Sequence, residues 1–286
     1  PSPSPSPSPS PSPLSLSPPA YSTDLRPTAP AHLPYHDQKG PEAAENTPVV
    51  LLHGFGGDKA TWLNLQTALA PARRSIAFDL PGHGDALDWP RIGNAGIAAK
   101  AVSQSLDALE LEKVHLVGHS MGGAIAALIA LRAPERIASL TLLAPGGFGP
   151  EINHKLLRRY AAATSPDEME MLMEQFFGWE FKLPRLLART AAESRARPGA
   201  AATLAAIADE IIDGTTQKTL PRTELAALPM PIKVVWGTQD RVLPTRQAHK
   251  LPGTVATHIF ERVGHMPHLE IPQEVTRLIL QNTACV

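Results

Sequence analysis

From Pro48 onward, short unbroken apolar runs alternate with longer stretches of helical spacing. PVVLL over 48–52, RSIAF over 74–78, VHLV over 114–117, SLTLL over 139–143, IKVVW over 232–236 and VATHIF over 255–260 are the apolar runs, most of them closed by a turn signal. Runs of this length read as strands buried on both faces. Between them, residues 59–70, 95–109, 120–131 and 272–281 place apolar side chains on helical faces, and SMGGAIAALIAL at 120–131 is apolar all round, as a buried helix is. This alternation predicts an α/β chain built on a mostly parallel sheet covered by helices on both sides.

Two regions break the rhythm. Residues 150–221 contain no convincing strand but show helical patches at 169–177 and 201–212, so they are expected to form a helical cap inserted between two strands. Met169, Met171, Met173, Phe176, Phe177 and Trp179 crowd together there. Such a cluster is either ordinary core or an apolar wall facing a substrate, for which methionine suits by its adaptable shape. The other break is the start, PSPSPSPSPSPSPLSLSPP. Nine of the thirty prolines lie in its nineteen residues, and it has almost nothing to bury. It reads as an extended, semi-rigid linker or tail, with 21–46 as an irregular lead-in. The expected organisation is therefore a Pro/Ser-rich disordered segment at 1–46, an α/β core at 47–149 and 222–286, and the cap at 150–221. About 240 residues suffice for one such domain with a sizeable core.

Composition narrows the function classes. Formal net charge is −1 with no long charged run, which argues against nucleic acid as a partner. The single cysteine, Cys285, allows no internal disulfide and no zinc cluster, so a reducing, cytoplasmic setting without metal or cofactor is expected. No apolar run reaches the ~20 residues of a membrane span. The N-terminus lacks the basic and apolar regions of a signal peptide. It also lacks Met, and reads as either a processed or a cloned piece, such as one cut from a larger multidomain protein.

The strongest chemical signal is Gly118-His119-Ser120-Met121-Gly122. It follows a predicted strand and opens a predicted helix, the context of a nucleophile elbow. Ser120 would stand at the carboxyl end of the sheet, with a helix N-terminus beneath it to favour an oxyanion. A serine hydroxyl needs a base. Among eleven histidines, His265 in Gly264-His265-Met266-Pro267 lies just after the last strand, at the same sheet end. His268 is the near competitor, while His119 should point away from the serine. Asp240, directly after the strand at 232–236, is the candidate to orient the base. His53-Gly54-Phe55-Gly56-Gly57 follows the first strong strand, and its backbone can turn N–H groups toward developing charge. Phe55 and Met121 are the expected oxyanion donors. Without Gly-Lys-Ser/Thr after it, this loop is not a phosphate loop. Asp79-Leu80-Pro81-Gly82-His83-Gly84 reads as a structural turn. His53, Gly54, His119, Phe148, Phe176, Trp179 and Val242 are the expected substrate-pocket residues.

HGFGGD, DLPGHG, GHSMGG, WGTQDRVLP and GHMPHLE, at these spacings, resemble the α/β-hydrolase family over about 48–282. The resemblance implies an eight-stranded, mostly parallel sheet with a helical cap, the order serine, acid, histidine, and acyl-enzyme chemistry on an ester, thioester or amide. A serine at position 120 speaks against the branches that use aspartate there, the dehalogenases and epoxide hydrolases. LAPGGFGPEIN at 143–153 resembles the acyltransferase subunit of acetoin dehydrogenase complexes, whose chains often join a lipoyl domain to this fold through a linker such as the Pro/Ser tract. The carbon–carbon bond hydrolases of ring cleavage share the core motifs. The expected function is hydrolysis of a small-to-medium acyl substrate. The alternatives are acyl transfer to a thiol within a larger multienzyme complex, carbon–carbon bond hydrolysis, and a non-catalytic binding module whose Pro/Ser tract recruits a proline-reading partner.

Overall fold

Successive side chains of a strand leave on opposite faces, and here both faces are apolar. Val50, Leu52, Ile76, Phe78, Leu116 and Leu142 enter one buried cluster, while Val49, Leu51, Ala77, Val117, Leu143 and Val235 enter a second. A sheet with two apolar faces must be covered twice, and the helices do so. The computed structural model describes residues 30–42 and 47–284. The calls made on residues 1–29, on Asn46 and on Cys285 lie outside the described residues.

In chain order the elements are β1 (Tyr35–Gln38), β2 (Val49–Leu52), α1 (Leu63–Leu69), β3 (Ser75–Phe78), α2 (Ala95–Ala108), β4 (Val114–His119), α3 (Met121–Arg132) and β5 (Ile137–Leu143). An inserted segment follows, with α4 (His154–Ala162), α5 (Pro166–Met173), α6 (Arg185–Arg195), α7 (Ala200–Ile211), β6 (Ile212–Asp213) and β7 (Thr216–Gln217). The chain then returns through β8 (Ile232–Gly237), β9 (Val255–Phe260), α8 (Pro267–Glu270) and α9 (Pro272–Thr283). The main sheet runs β1-β3-β2-β4-β5-β8-β9, with β1 antiparallel to β3 and every other pair parallel. β4 is thus the central strand. Val275, Leu278 and Ile279 of α9 and Leu65 and Leu69 of α1 cover one face. α2, α3 and the insert cover the other. Asn282 ties α9 to the sheet by donating to Leu140 O at 3.0 Å and Thr141 Oγ1 at 2.9 Å.

Three expectations are corrected. The main sheet has seven strands among the described residues, not eight. The lead-in is not irregular throughout, because Tyr35–Gln38 forms the edge strand β1. That strand has no apolar alternation to announce it and is held by polar side chains. Gln66 bonds His36 through Nδ1 at 2.9 Å, and Arg74 grips the Asp37 carboxylate through two nitrogens at 3.0 and 2.8 Å. The insert, expected to lack strands, carries the hairpin β6–β7, whose two-residue arms are too short to leave a sequence pattern.

Asp79, just after β3, behaves as the structural residue expected of its turn. Its buried carboxylate accepts from Lys59 N at 2.7 Å, Lys59 Nζ at 2.6 Å and Asp85 N at 2.9 Å. It fixes the chain after β2 to the chain after β3. Asp79→Ala should lower unfolding free energy by about 2–3 kcal/mol in urea titrations. This is less than the ~3–5 kcal/mol of a fully buried pair, because Lys59 can rehydrate. An unchanged denaturation midpoint would contradict this role.

Candidate active site

The carboxyl ends of β2, β4, β8 and β9 converge, and each contributes one part of the site. At the end of β4 the chain reverses into α3 within one residue. Ser120 makes that reversal at φ 52° and ψ −117°, in the left-handed half of backbone space. Such strain persists only where neighbours over-determine it. Ser120 N donates to Leu143 O at 2.9 Å, and Ser120 O accepts from Gly146 N at 2.8 Å. The flanking glycines are sterically required. A Cβ on Gly118 would meet Gly122 O at 2.2 Å, and one on Gly122 would meet Leu52 O at 2.3 Å.

Ser120 Oγ lies 2.9 Å from His265 Nε2, and His265 Nδ1 lies 2.7 Å from Asp240 Oδ2. The Asp240 side chain is fully buried and that of His265 almost so. Every other acceptor position of Asp240 is also engaged. Oδ2 accepts from Trp236 Nε1 at 3.0 Å, and Oδ1 from the N–H groups of Val242 at 2.8 Å and Leu243 at 2.9 Å. Four donors in all, counted with His265, would not be spent on a carboxylic acid, so the group is read as an anion facing the imidazole. His265 Nδ1 then carries the proton and Nε2 is free to accept from the serine.

Phe55, after β2, and Met121, at the start of α3, line a cavity together with Ser120. Among the described residues, neither backbone N–H is taken by a protein acceptor. Gly54 brings this loop against the serine: a Cβ there would stand 2.7 Å from His119 Nδ1 and 3.1 Å from Ser120 Cβ. His53 holds the loop's origin. Because Leu80 N donates to its Nε2 at 3.0 Å, its Nδ1 must be the protonated nitrogen, donating to Gly54 O at 2.8 Å.

The remaining pocket expectations divide. His53, Gly54, His119 and Phe176 line a small cavity at Ser120 and His265, and Val242 lines a larger one at Ser120. Two expected pocket residues are corrected. Phe148 is buried against Trp236, with ring centroids 6.3 Å apart, and lines neither cavity. Trp179 is 69% exposed, with the Arg241 guanidinium over its ring at 4.1 Å, and lines neither cavity. His268, the competing base, is buried between Trp62 and His119 at centroid distances of 4.6 and 4.5 Å and reaches neither Ser120 nor Asp240. Among the described residues, no three His, Cys, Asp or Glu side chains gather as a metal site, and no helix is long and apolar enough to cross a membrane.

The sequence reading missed the residues that hold the histidine loop in place. His265 N donates to Phe176 O of the insert at 2.7 Å. The Glu270 carboxylate accepts from Gly264 N at 2.9 Å and Met266 N at 3.1 Å, on either side of His265, and from Gly178 N of the insert at 2.8 Å. Arg241, beside the acid, donates to Glu174 O and Phe177 O. His119 adds a strut from beneath, its Nε2 donating to His265 O at 2.7 Å. Residues 174–178 thus brace the acid and base loops together. The one sequence signal was Glu270 itself, an acidic residue amid apolar neighbours close after the histidine.

Burial keeps the surrounding imidazoles neutral. It pushes His83 and His268 down to about 3, and His53 and His119 also downward, while neighbouring histidines add repulsion at His83, His119 and His268. His265 therefore sits among uncharged rings.

Residues 49–278 match the model of the alpha/beta hydrolase family. Over 234 residues the chain is 36% identical to the dihydrolipoyllysine-residue acetyltransferase component of the acetoin cleaving system of Pseudomonas putida, covering 82% of this chain. The chain spans 62% of that relative's length. It is 29% identical over 254 residues to 2-hydroxy-6-oxo-6-phenylhexa-2,4-dienoate hydrolase of Comamonas testosteroni, covering 84% of this chain and 88% of that one. A meta-cleavage product hydrolase from Pseudomonas fluorescens superposes with a TM-score of 0.77 at 24% identity, over 87% of this chain and 93% of that chain.

Both ring nitrogens of His268 are buried with no hydrogen-bond partner among the described residues. Its folded pKa of about 3 lies below the ~6.5 of an unfolded histidine. Below about pH 6.5 the unfolded chain binds a proton that the folded chain refuses, so stability falls as pH drops from there toward 3. His268→Phe removes this linkage. Between pH 7.5 and 5 the wild type should lose about 2 kcal/mol more unfolding free energy than the variant. Parallel losses in urea titrations at both pH values would contradict the assignment.

Proposed function

The chain belongs to the alpha/beta hydrolase family, and from that premise we propose that it is a serine hydrolase that cleaves an ester or thioester through an acyl-enzyme. The observation that carries this reading is the continuous hydrogen-bond chain from Ser120 Oγ through His265 to the buried Asp240. Ser120 Oγ attacks the substrate carbonyl carbon as its proton passes to His265 Nε2. The carbonyl oxygen becomes an oxyanion, which the N–H groups of Phe55 and Met121 receive. Asp240 keeps the imidazole in the tautomer that can accept the proton, and it stabilises the imidazolium that results. The tetrahedral adduct collapses, and the leaving oxygen or sulfur takes the proton from Nε2. Water then attacks the acyl carbon and gives a proton to Nε2; the bond to Ser120 Oγ breaks, Oγ takes that proton back, and the acid leaves.

A second reading keeps the same acyl-enzyme and changes the acceptor to a thiol. The 36% identity to an acetyltransferase component of an acetoin cleaving system favours it. Under this reading the protein works within a multienzyme assembly. With dihydrolipoamide present, acyl-dihydrolipoamide as the main product would establish transfer, and free acid alone would reject it. Carbon–carbon bond hydrolysis, suggested by the Comamonas testosteroni relative, needs the same serine and is tested by supplying that relative's named substrate.

Acid release from methyl butyrate and methyl octanoate, followed by pH-stat, tests the primary reading. Ser120→Ala should lower kcat by roughly 10⁴–10⁶. Asp240→Asn, which keeps the packing but spoils the tautomer, should lower it by roughly 10³–10⁴. Turnover by Ser120→Ala within tenfold of wild type would overturn the mechanism.

A further inference from the structure

Ser120 stands where two unequal cavities meet. One, of about 270 Å³, runs beside Met121, Ala124 and Leu128 of α3, between Ile152, Leu220 and Val242. The other, of about 60 Å³, is enclosed by Thr61, His119, Tyr160, Phe176, His265 and Met266. Phe55, Ser120 and Leu157 border both, whereas His265 borders only the small one. Resting on the acyl-enzyme reading above, we infer that the large cavity holds the acyl chain and the small one the leaving group, so that the substrate class is a medium-chain acyl ester of a one- or two-carbon alcohol.

The assignment follows from where the proton must go. When the adduct collapses, the bond from the acyl carbon to the leaving oxygen breaks, and that oxygen takes the proton held on His265 Nε2. The leaving group therefore lies on the His265 side, and water later approaches from the same side to give its proton back to Nε2. The acyl substituent has to extend the other way. There, Ala124, Leu128 and Arg132 continue from Ser120 at four-residue spacing, forming one row along α3. That row is about 18 Å long at the rise of an α-helix. It is apolar through Ala124 and Leu128 and ends among Asn94, Arg132, Glu210 and Lys218. At roughly 30 Å³ for each water-sized group, the large cavity accepts a chain of about nine carbons and the small one about two. A straight chain buried against this row gains affinity with each methylene, and two methylenes are worth about tenfold.

Methyl nonanoate and octyl acetate share one molecular formula and swap the long chain between acyl and alcohol sides. In pH-stat assays on the wild type, kcat/KM for methyl nonanoate should exceed that for octyl acetate by tenfold or more. Leu128→Trp, which narrows the large cavity, should lower the ratio of methyl nonanoate to methyl butyrate turnover by about tenfold. Equal rates for the two isomers, or faster cleavage of octyl acetate, would overturn the assignment. If neither ester is cleaved, hydrolysis of such esters is refuted, and calorimetric titration of Ser120→Ala with sodium nonanoate and sodium butyrate decides the cavity assignment separately. Nonanoate binding at least tenfold tighter than butyrate, and weakened in Ser120→Ala/Leu128→Trp, upholds it; equal affinities reject it.

Discussion

A serine forced into left-handed backbone space at the tip of the central strand is the constraint on which the site depends. Ser120 can hold φ 52° only because the strand before it, the helix after it and the two neighbouring strand ends leave no alternative. Gly118 and Gly122 pack backbone to backbone at distances that exclude any side chain, and Leu143 and Gly146 bond the serine's own peptide groups. The sharp reversal has two consequences. It lifts the hydroxyl clear of the sheet, and it begins α3 immediately, so the Met121 N–H points out of the helix end. The proposed nucleophile and one proposed oxyanion donor thus come from a single turn.

The other parts of the proposed machinery are aligned by hydrogen bonds rather than by strain. Asp240 is fixed by an indole and two backbone N–H groups. His265 is fixed from above by Phe176, from either side by Glu270 acting on its neighbours, and from below by His119. Residues 174–178 of the insert reach both loops through Arg241 and Glu270. The insert is therefore more than a roof over the cavities, because its placement and the orientation of the histidine are one network. Substitutions there should act on turnover as well as on substrate choice. Burial completes the arrangement by keeping the nearby imidazoles uncharged, so they do not oppose a positive charge on His265.

The core was readable from the chain because its strands are apolar on both faces and its turns need glycine. β9 falls on the expected residues, and β2, β3 and β8 differ from expectation by one residue at an end. Ser120, His265 and Asp240 could be picked out because each follows a strand at the same sheet end, where topology alone brings them together. What escaped was set by tertiary packing. β1 is an edge strand secured by Gln66 and Arg74, which no local pattern announces. Trp179 and Phe148 are large aromatics near the right place in sequence, yet one covers Arg241 at the surface and the other packs under Trp236. Glu270 is an acidic residue among apolar neighbours, and only the tertiary fold brings three backbone donors onto it.

The proposed mechanism requires Ser120 to be a nucleophile activated through His265 and Asp240. Exposing the protein to a reactive alkyl fluorophosphonate and mapping the adduct by peptide mass spectrometry tests it without assuming a substrate. A single phosphonyl adduct is expected, on Ser120, forming at least a hundred times more slowly in His265→Gln. An unlabelled Ser120, an adduct on another residue, or labelling at the wild-type rate in His265→Gln would contradict it.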